Sequence, residues 1–237
     1  MTGPTSPAPG RRAVSAPARP RTVALMGIDG AGKTTQTRLL ARHLAADGIQ
    51  AHHLTNEVGA TVREALDGYA RERGHPDHAS LAGDTAAHLA WAVTKATGLL
   101  AAANLLEGRA DAVLVADRYT YCHYATERLT GGGGEALLRA LHRHIPEPDL
   151  AVFIDADPGT AARRTEERGH GVETVETLRA YRDAYREMPE FAGFTVIDGD
   201  APPEVVHRAV VDLVAKEFDL PATAGPRASA ARPCGCR

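Results

Sequence analysis

Residues Gly27-Ile28-Asp29-Gly30-Ala31-Gly32-Lys33-Thr34-Thr35 satisfy the pattern G-x-x-x-x-G-K-[ST]. In such a phosphate loop, glycines let backbone N–H groups close around phosphate oxygens. Lys33 reaches the terminal phosphates, Thr34 offers a hydroxyl to Mg²⁺, and the following helix turns its positive end toward the anion. Thr22 to Met26 reads as a short buried strand running in. Gln36 to Ala46 carries Leu39, Leu40 and Leu44 at helical spacing running out. Strand, loop and helix together predict a nucleoside triphosphate site.

A second pair follows another apolar run. Asp117-Arg118-Tyr119 comes directly after the predicted strand Ala112–Ala116. An arginine at a strand's carboxyl edge can grip a phosphate bidentately, and the aspartate can hold Mg²⁺ water or orient the arginine. Further on, Arg164 and Arg168 stand at i and i+4, which predicts two guanidinium groups on one helix face. A mobile segment ending at Gly169-His170-Gly171 could carry them over a triphosphate and exclude water. A solvated face with Glu166 and Glu167 pairing locally is the alternative. Phosphoryl transfer to an already anionic oxygen needs no general base, so no histidine is nominated for that role. His75, His78, His142 and His144 lack the partners of a zinc site.

Alternating strands and helices must position these groups. Strands are expected at Thr22–Met26, Gln50–Thr55, Ala112–Ala116, Leu150–Ile154 and Phe194–Ile197. Helices are expected near 34–46, 61–73, 84–107, 134–144, 158–168, 173–188 and 203–217. Asp157-Pro158 is a cap followed by proline at the first helical position, and Asp200 before Pro202-Pro203 reads similarly. Gly131 to Gly134 reads as a flexible joint. Such alternation predicts an α/β fold with a parallel sheet covered on both faces and ligands at the strands' carboxyl ends.

At 237 residues the chain has room for one such domain, placed at residues 21–218, and a formal charge of -3 suggests no nucleic-acid surface. Met1 to Pro20 holds five prolines and three arginines without an acid, and with residues 219–237 it is expected to be disordered. Three cysteines, Cys122, Cys234 and Cys236, form no disulfide framework, which fits a reducing cytoplasm. The most apolar helical stretch, Leu89 to Leu106, is interrupted by Lys95 and Asn104 and reads as core, with no membrane span expected.

GIDGAGKTT, then Asp117-Arg118-Tyr119, then Pro148-Asp149-Leu150-Ala151-Val152-Phe153-Ile154-Asp155 resemble the thymidylate kinase family of nucleoside monophosphate kinases. The likeness runs from about Thr22 to Val214. It implies a three-layer phosphate-loop kinase fold with a five-stranded parallel sheet, and transfer of the ATP γ-phosphoryl group to dTMP, giving dTDP and ADP. It also implies a cytoplasmic homodimer with small-molecule nucleotide substrates. On that likeness Gly27 to Thr35 bind ATP, with Mg²⁺ at Thr34 and Asp117. Asp29 contacts the recipient's sugar, Arg118 holds its phosphate, and Arg164 and Arg168 belong to the lid.

The base pocket departs from the family pattern. A usual Phe-Ala-Ala-Asp/Ser-Arg run reads Trp91-Ala92-Val93-Thr94-Lys95, which keeps a stacking ring and a donor four residues apart but loses arginine's planar fork. His88 could line the same face. Asn56 and Val58 replace an arginine and a proline after the second strand. The run Ser-x-x-Ala-Tyr-Gln reads Cys122-His123-Tyr124-Ala125-Thr126-Glu127, which places His123 at the pocket and an acid where an amide is usual. The altered pocket leaves two other readings open: a same-fold kinase for a modified nucleotide or small metabolite, and a non-transferring switch.

Overall fold

A computed structural model describes residues 19–55, 57–131, 133–169 and 173–220. Most of both expected tails, Asn56, His170 and Gly171 lie outside these residues. Five strands, β1 (Arg21–Met26), β2 (Ala51–Leu54), β3 (Val113–Asp117), β4 (Leu150–Asp155) and β5 (Thr195–Asp198), form one sheet in the order β2-β3-β1-β4-β5. Every pairing is parallel, with Leu25 opposite Asp117 on one side and Val152 on the other.

The period-two alternation of a strand divides the core between the sheet's faces. Val23 and Leu25 of β1 pack with Val113, Val115, Val152 and Ile154 against α1 (Lys33–Ala46) and α9 (Pro203–Glu217). Ala24 and Met26 pack with Ala116 and Phe153 toward α4 (Asp84–Leu105), α5 (Tyr121–Thr130) and α8 (Val175–Arg186). Buried on both sides, β1, β3 and β4 are mainly apolar, as central parallel strands must be, with polar Arg21 and Thr22 opening β1 and Asp117 and Asp155 closing β3 and β4. On α4, Ala92, Ala96 and Leu99 face that core at helical spacing.

The chain leaves β1 toward one side of the sheet and leaves β3 toward the other. The carboxyl ends of these strands therefore flank the crevice where ligands bind in such sheets. Asp117 closes β3, one residue beyond the expected end.

Three departures have physical causes. Helix α5 was not expected, because Tyr121-Cys122-His123-Tyr124 is a poor helix former; it is helical because that stretch is buried. The short α3 (His78–Ala82) arises from a capping box in which Asp77 accepts the Ser80 amide, and α2 (Glu57–Arg71) begins earlier than its apolar spacing indicated. Asp157 caps α7 (Pro158–Glu167) as expected, whereas Asp200 does not cap α9: its carboxylate accepts the Asp157 amide at 2.9 Å. At the expected joint, Gly131 terminates α5 with φ 65°, and the Gly134 amide is held by Glu127 at the start of α6 (Glu135–His142). Arg19, assigned to the tail, pairs with Asp149 at 2.6 Å.

Candidate active site

The loop after β1 needs its glycines. Gly30 has φ 86°, and a Cβ there would run into the backbone of Ala161 on α7. Gly32, the residue before α1, has φ 96° and makes no side-chain cap, so no side chain occupies the first amides of α1. Those amides form an anion site at the helix's positive end. Lys33 curls back over the loop, its ammonium donating to the Ile28 carbonyl at 2.7 Å and lying 3.5 Å from the Asp29 carboxylate.

Thr34 donates its hydroxyl to Oδ2 of Asp117 at 2.6 Å. The other carboxylate oxygen, Oδ1, is buried without a hydrogen-bond partner among the described residues. A buried anionic oxygen beside a hydroxyl is a hard-oxygen set suited to a small divalent cation. Arg118 follows with φ 67°, a left-handed conformation that is strained for arginine. Its amide is pinned to the Leu25 carbonyl at 3.1 Å, and its guanidinium contacts the Asp29 carboxylate inside the loop. The two expected phosphate grips therefore face one another.

This charge density perturbs each member. Burial favours the neutral form of Asp29, but the Arg118 and Lys33 charges outweigh it and bring its carboxyl to about 2. Burial and then the Arg118 charge bring Lys33 down to about 8, against the pull of Asp29 and Asp117. Arg118 moves above its usual range because Asp29 overcomes its burial. Triphosphate favours the charged lysine, so binding between about pH 8 and the ordinary lysine range takes up a proton, and ATP affinity falls as pH rises through about 8. Calorimetry at pH 9 in buffers of different ionisation enthalpy checks this; heats that do not depend on the buffer contradict it.

A cavity of ≈ 290 Å³ opens beside the loop and is walled by Asp29, Arg118, Trp91, His123, Tyr181 and Glu173, among others. Trp91 belongs to none of the buried core clusters. The guanidinium of Arg63 stands 5.5 Å over its ring. Lys95 differs from expectation. It is buried, donates to the Asp117 carbonyl at 2.7 Å and so braces the end of β3; it is not among the residues lining this cavity. Burial lowers its pKa.

Arg164 and Arg168 also lie away from the cavity in this conformation. Arg164 donates to the Gly199 carbonyl at 2.8 Å, and Arg168, past the end of α7, donates to the Arg164 carbonyl at 2.9 Å. The local Glu166 and Glu167 pairs considered from sequence are not among the ion pairs of the described residues.

Sequence reasoning missed Arg63, Glu173, Tyr181 and Tyr185 in the cavity wall. Only Tyr181 and Tyr185 carried a local signal, at i and i+4 on α8. It named Asp155 at the end of β4 within a motif but gave it no role; Asp155 holds Arg182 at 2.5 Å and Arg186 at 2.7 Å.

A glycine-lined donor loop facing a half-buried arginine across the carboxyl edge of a parallel sheet defines a phosphate-loop phosphotransferase. The thymidylate kinase family model matches residues 25–210, and the chain belongs to that family. It is 31% identical over 210 residues to a probable thymidylate kinase of Pyrococcus abyssi, covering 83% of this chain and 96% of that one. It is 30% identical over 198 residues to a thymidylate kinase of Xylella fastidiosa, covering 81% of this chain and 85% of that one. The chain is accordingly an ATP-dependent nucleoside monophosphate kinase.

Proposed function

We propose that this kinase transfers the γ-phosphoryl group of Mg²⁺-ATP to dTMP, giving dTDP and ADP. The observation that carries the reading is the meeting of Arg118 with Asp29 in one cavity with Trp91. The dTMP phosphate takes the Arg118 guanidinium, Asp29 lies toward the sugar, and Trp91 offers a face on which the base stacks. Lys33 and the loop amides hold the donor's phosphates. Thr34 and Asp117 would hold Mg²⁺, which neutralises phosphate charge when bound. Lys95 keeps the Asp117 backbone in place from behind.

With reacting oxygens already anionic, alignment and charge neutralisation supply the catalysis. Arg164 and Arg168 join this reading only as groups that exchange their present carbonyl partners for donor phosphate when α7 moves. A switch has no use for a second anion grip, so Arg118 favours transfer over simple hydrolysis.

A homodimer fits the surface. Val62, Leu66 and Tyr69 of α2, with Val93 and Leu100 of α4, leave apolar side chains exposed on two helices packed together. Sedimentation as a monomer at micromolar concentration would refute it. Among the described residues no helix is long and apolar enough to cross a membrane. The setting we propose is the cytoplasm, which suits the free, buried Cys122.

The function is tested by ADP release over a panel of nucleoside monophosphates. Turnover with dTMP well above the others is expected; release that does not depend on any monophosphate contradicts the reading. A second reading, a substrate bulkier than dTMP, is favoured by one observation. A further chamber of ≈ 450 Å³ shares Arg63, Trp91, Thr126 and Tyr181 with the first. Preference for a substituted nucleotide in the same panel would select it.

A further inference from the structure

Glu127, the acid standing where the family pattern has an amide, is turned into a buried polar chain. One carboxylate oxygen accepts the Gly134 amide at 2.8 Å, and the other lies 2.5 Å from Nδ1 of His88. Nε2 of His88 lies 3.3 Å from Nδ1 of His123. These contacts bring together α5, α4 and the start of α6.

The order of protons follows from what each atom can do. A carboxylate only accepts, so Nδ1 of His88 carries the hydrogen. With His88 neutral, its Nε2 presents a lone pair, which takes a hydrogen from Nδ1 of His123. That leaves Nε2 of His123 as a bare lone pair. This nitrogen is buried and has no hydrogen-bond partner among the described residues, while the His123 ring walls the cavity that holds Arg118, Asp29 and Trp91. Buried polar atoms without partners are rare, and in a ligand cavity a donor on the ligand is the natural complement.

We infer that Glu127 and His88 are positioning residues that fix His123 as a hydrogen-bond acceptor for the incoming base. The site then selects a pyrimidine carrying a ring N–H, as thymine and uracil do, over one whose ring nitrogen is unprotonated, as in cytosine. This inference rests on the nucleoside monophosphate reading of the cavity and names the group that reads the base.

The environment keeps His123 neutral. Burial comes first; a proton on His123 would also share a small space with the protonatable His88 on α4 and His142 on α6 and the positive Lys95 on α4 and Arg118 after β3, and together these hold its pKa well below the usual imidazole range. Glu127 reaches it through His88. A neutral imidazole has one donor and one acceptor, and the chain decides which nitrogen is which.

The test combines ring spectroscopy with kinetics on the full chain. Long-range ¹H–¹⁵N spectra of histidine-labelled protein are expected to place the His123 proton on Nδ1. In His88→Phe, which keeps a ring but removes both nitrogens, that fixed tautomer becomes a mixture. The ratio of kcat/KM for dTMP over dCMP is expected to fall about tenfold, the scale of one hydrogen bond. Glu127→Leu, which leaves the His88 hydrogen without its acceptor, is expected to lose the ratio as well.

A proton on Nε2 of His123 in the parent protein overturns the inference. So does an equal loss of turnover with both nucleotides in His88→Phe, which means a structural role alone. Should His88→Phe not fold, the parent spectrum and Glu127→Leu still decide. If the parent turns over neither nucleotide, the functional reading fails, while the spectrum judges the chain of protons separately.

Discussion

Lys33→Met is expected to lower kcat for phosphoryl transfer by at least about 10³-fold, the scale on which a lost transition-state charge contact operates. Fold stability should hold or rise. Lys33 is only 5% exposed, and burial together with Arg118 opposes its charge, so the native state carries an ammonium at a cost. Methionine keeps the aliphatic stem packed and removes that charge; the lost bond to the Ile28 carbonyl is the offsetting term. The pairing of lost activity with retained Tm marks a residue kept for chemistry. Thermal unfolding beside steady-state rates checks both parts, and retained turnover would contradict the assignment of the loop.

Arg118→Ala is expected to reduce kcat/KM for the monophosphate by roughly 10³-fold while changing ATP affinity little. A bidentate guanidinium–phosphate contact in a water-poor cavity is among the stronger polar contacts available, and breaking such a buried pair costs about 3–5 kcal/mol. Arg118→Lys should recover only part of the loss, because an ammonium keeps the charge but not the planar fork. The strained φ of 67° at Arg118 adds to the case, since nothing in the packing needs arginine in a conformation that suits glycine. Isothermal titration with ATP, run beside the rates, separates the two grips. Equal loss of ATP binding and of monophosphate turnover would mean that Arg118 serves only the donor loop.

What was legible in the sequence was what is local in the chain. The phosphate loop is nine consecutive residues, and its strand and helix lie on either side. Arg118 could be placed because it directly follows an apolar run whose end is a sheet edge. The central strands were legible because buried parallel strands are short and mostly apolar; the edge strands β2 and β5, partly polar and partly exposed, were legible from the alternation of strand and helix.

The monophosphate pocket was less so, because its walls come from α2, α4, α5 and α8, which meet only after folding. Trp91 was placed at the pocket, yet its neighbour Arg63 carried no signal of its own. Lys95 shows the limit of spacing arguments. It lies one turn from Trp91, as expected, but its long stem reaches under the sheet edge to the Asp117 carbonyl. Arg164 and Arg168 show another: α7 ends at Glu167, so Arg168 leaves helical register and caps its own helix. Glu127 could be seen as a departure, but its pairing with His88, 39 residues away, could not.

The central claim is that donor and recipient phosphates are gripped on opposite sides of one gap, by the loop with Lys33 and by Arg118. The most direct measurement is binding of a conjugate in which a polyphosphate chain joins adenosine to thymidine. The account predicts that it binds more tightly than ATP or dTMP alone, competes with both, and is weakened by Lys33→Met and by Arg118→Ala. Competition with ATP alone, with affinity unaffected by Arg118→Ala, would contradict it.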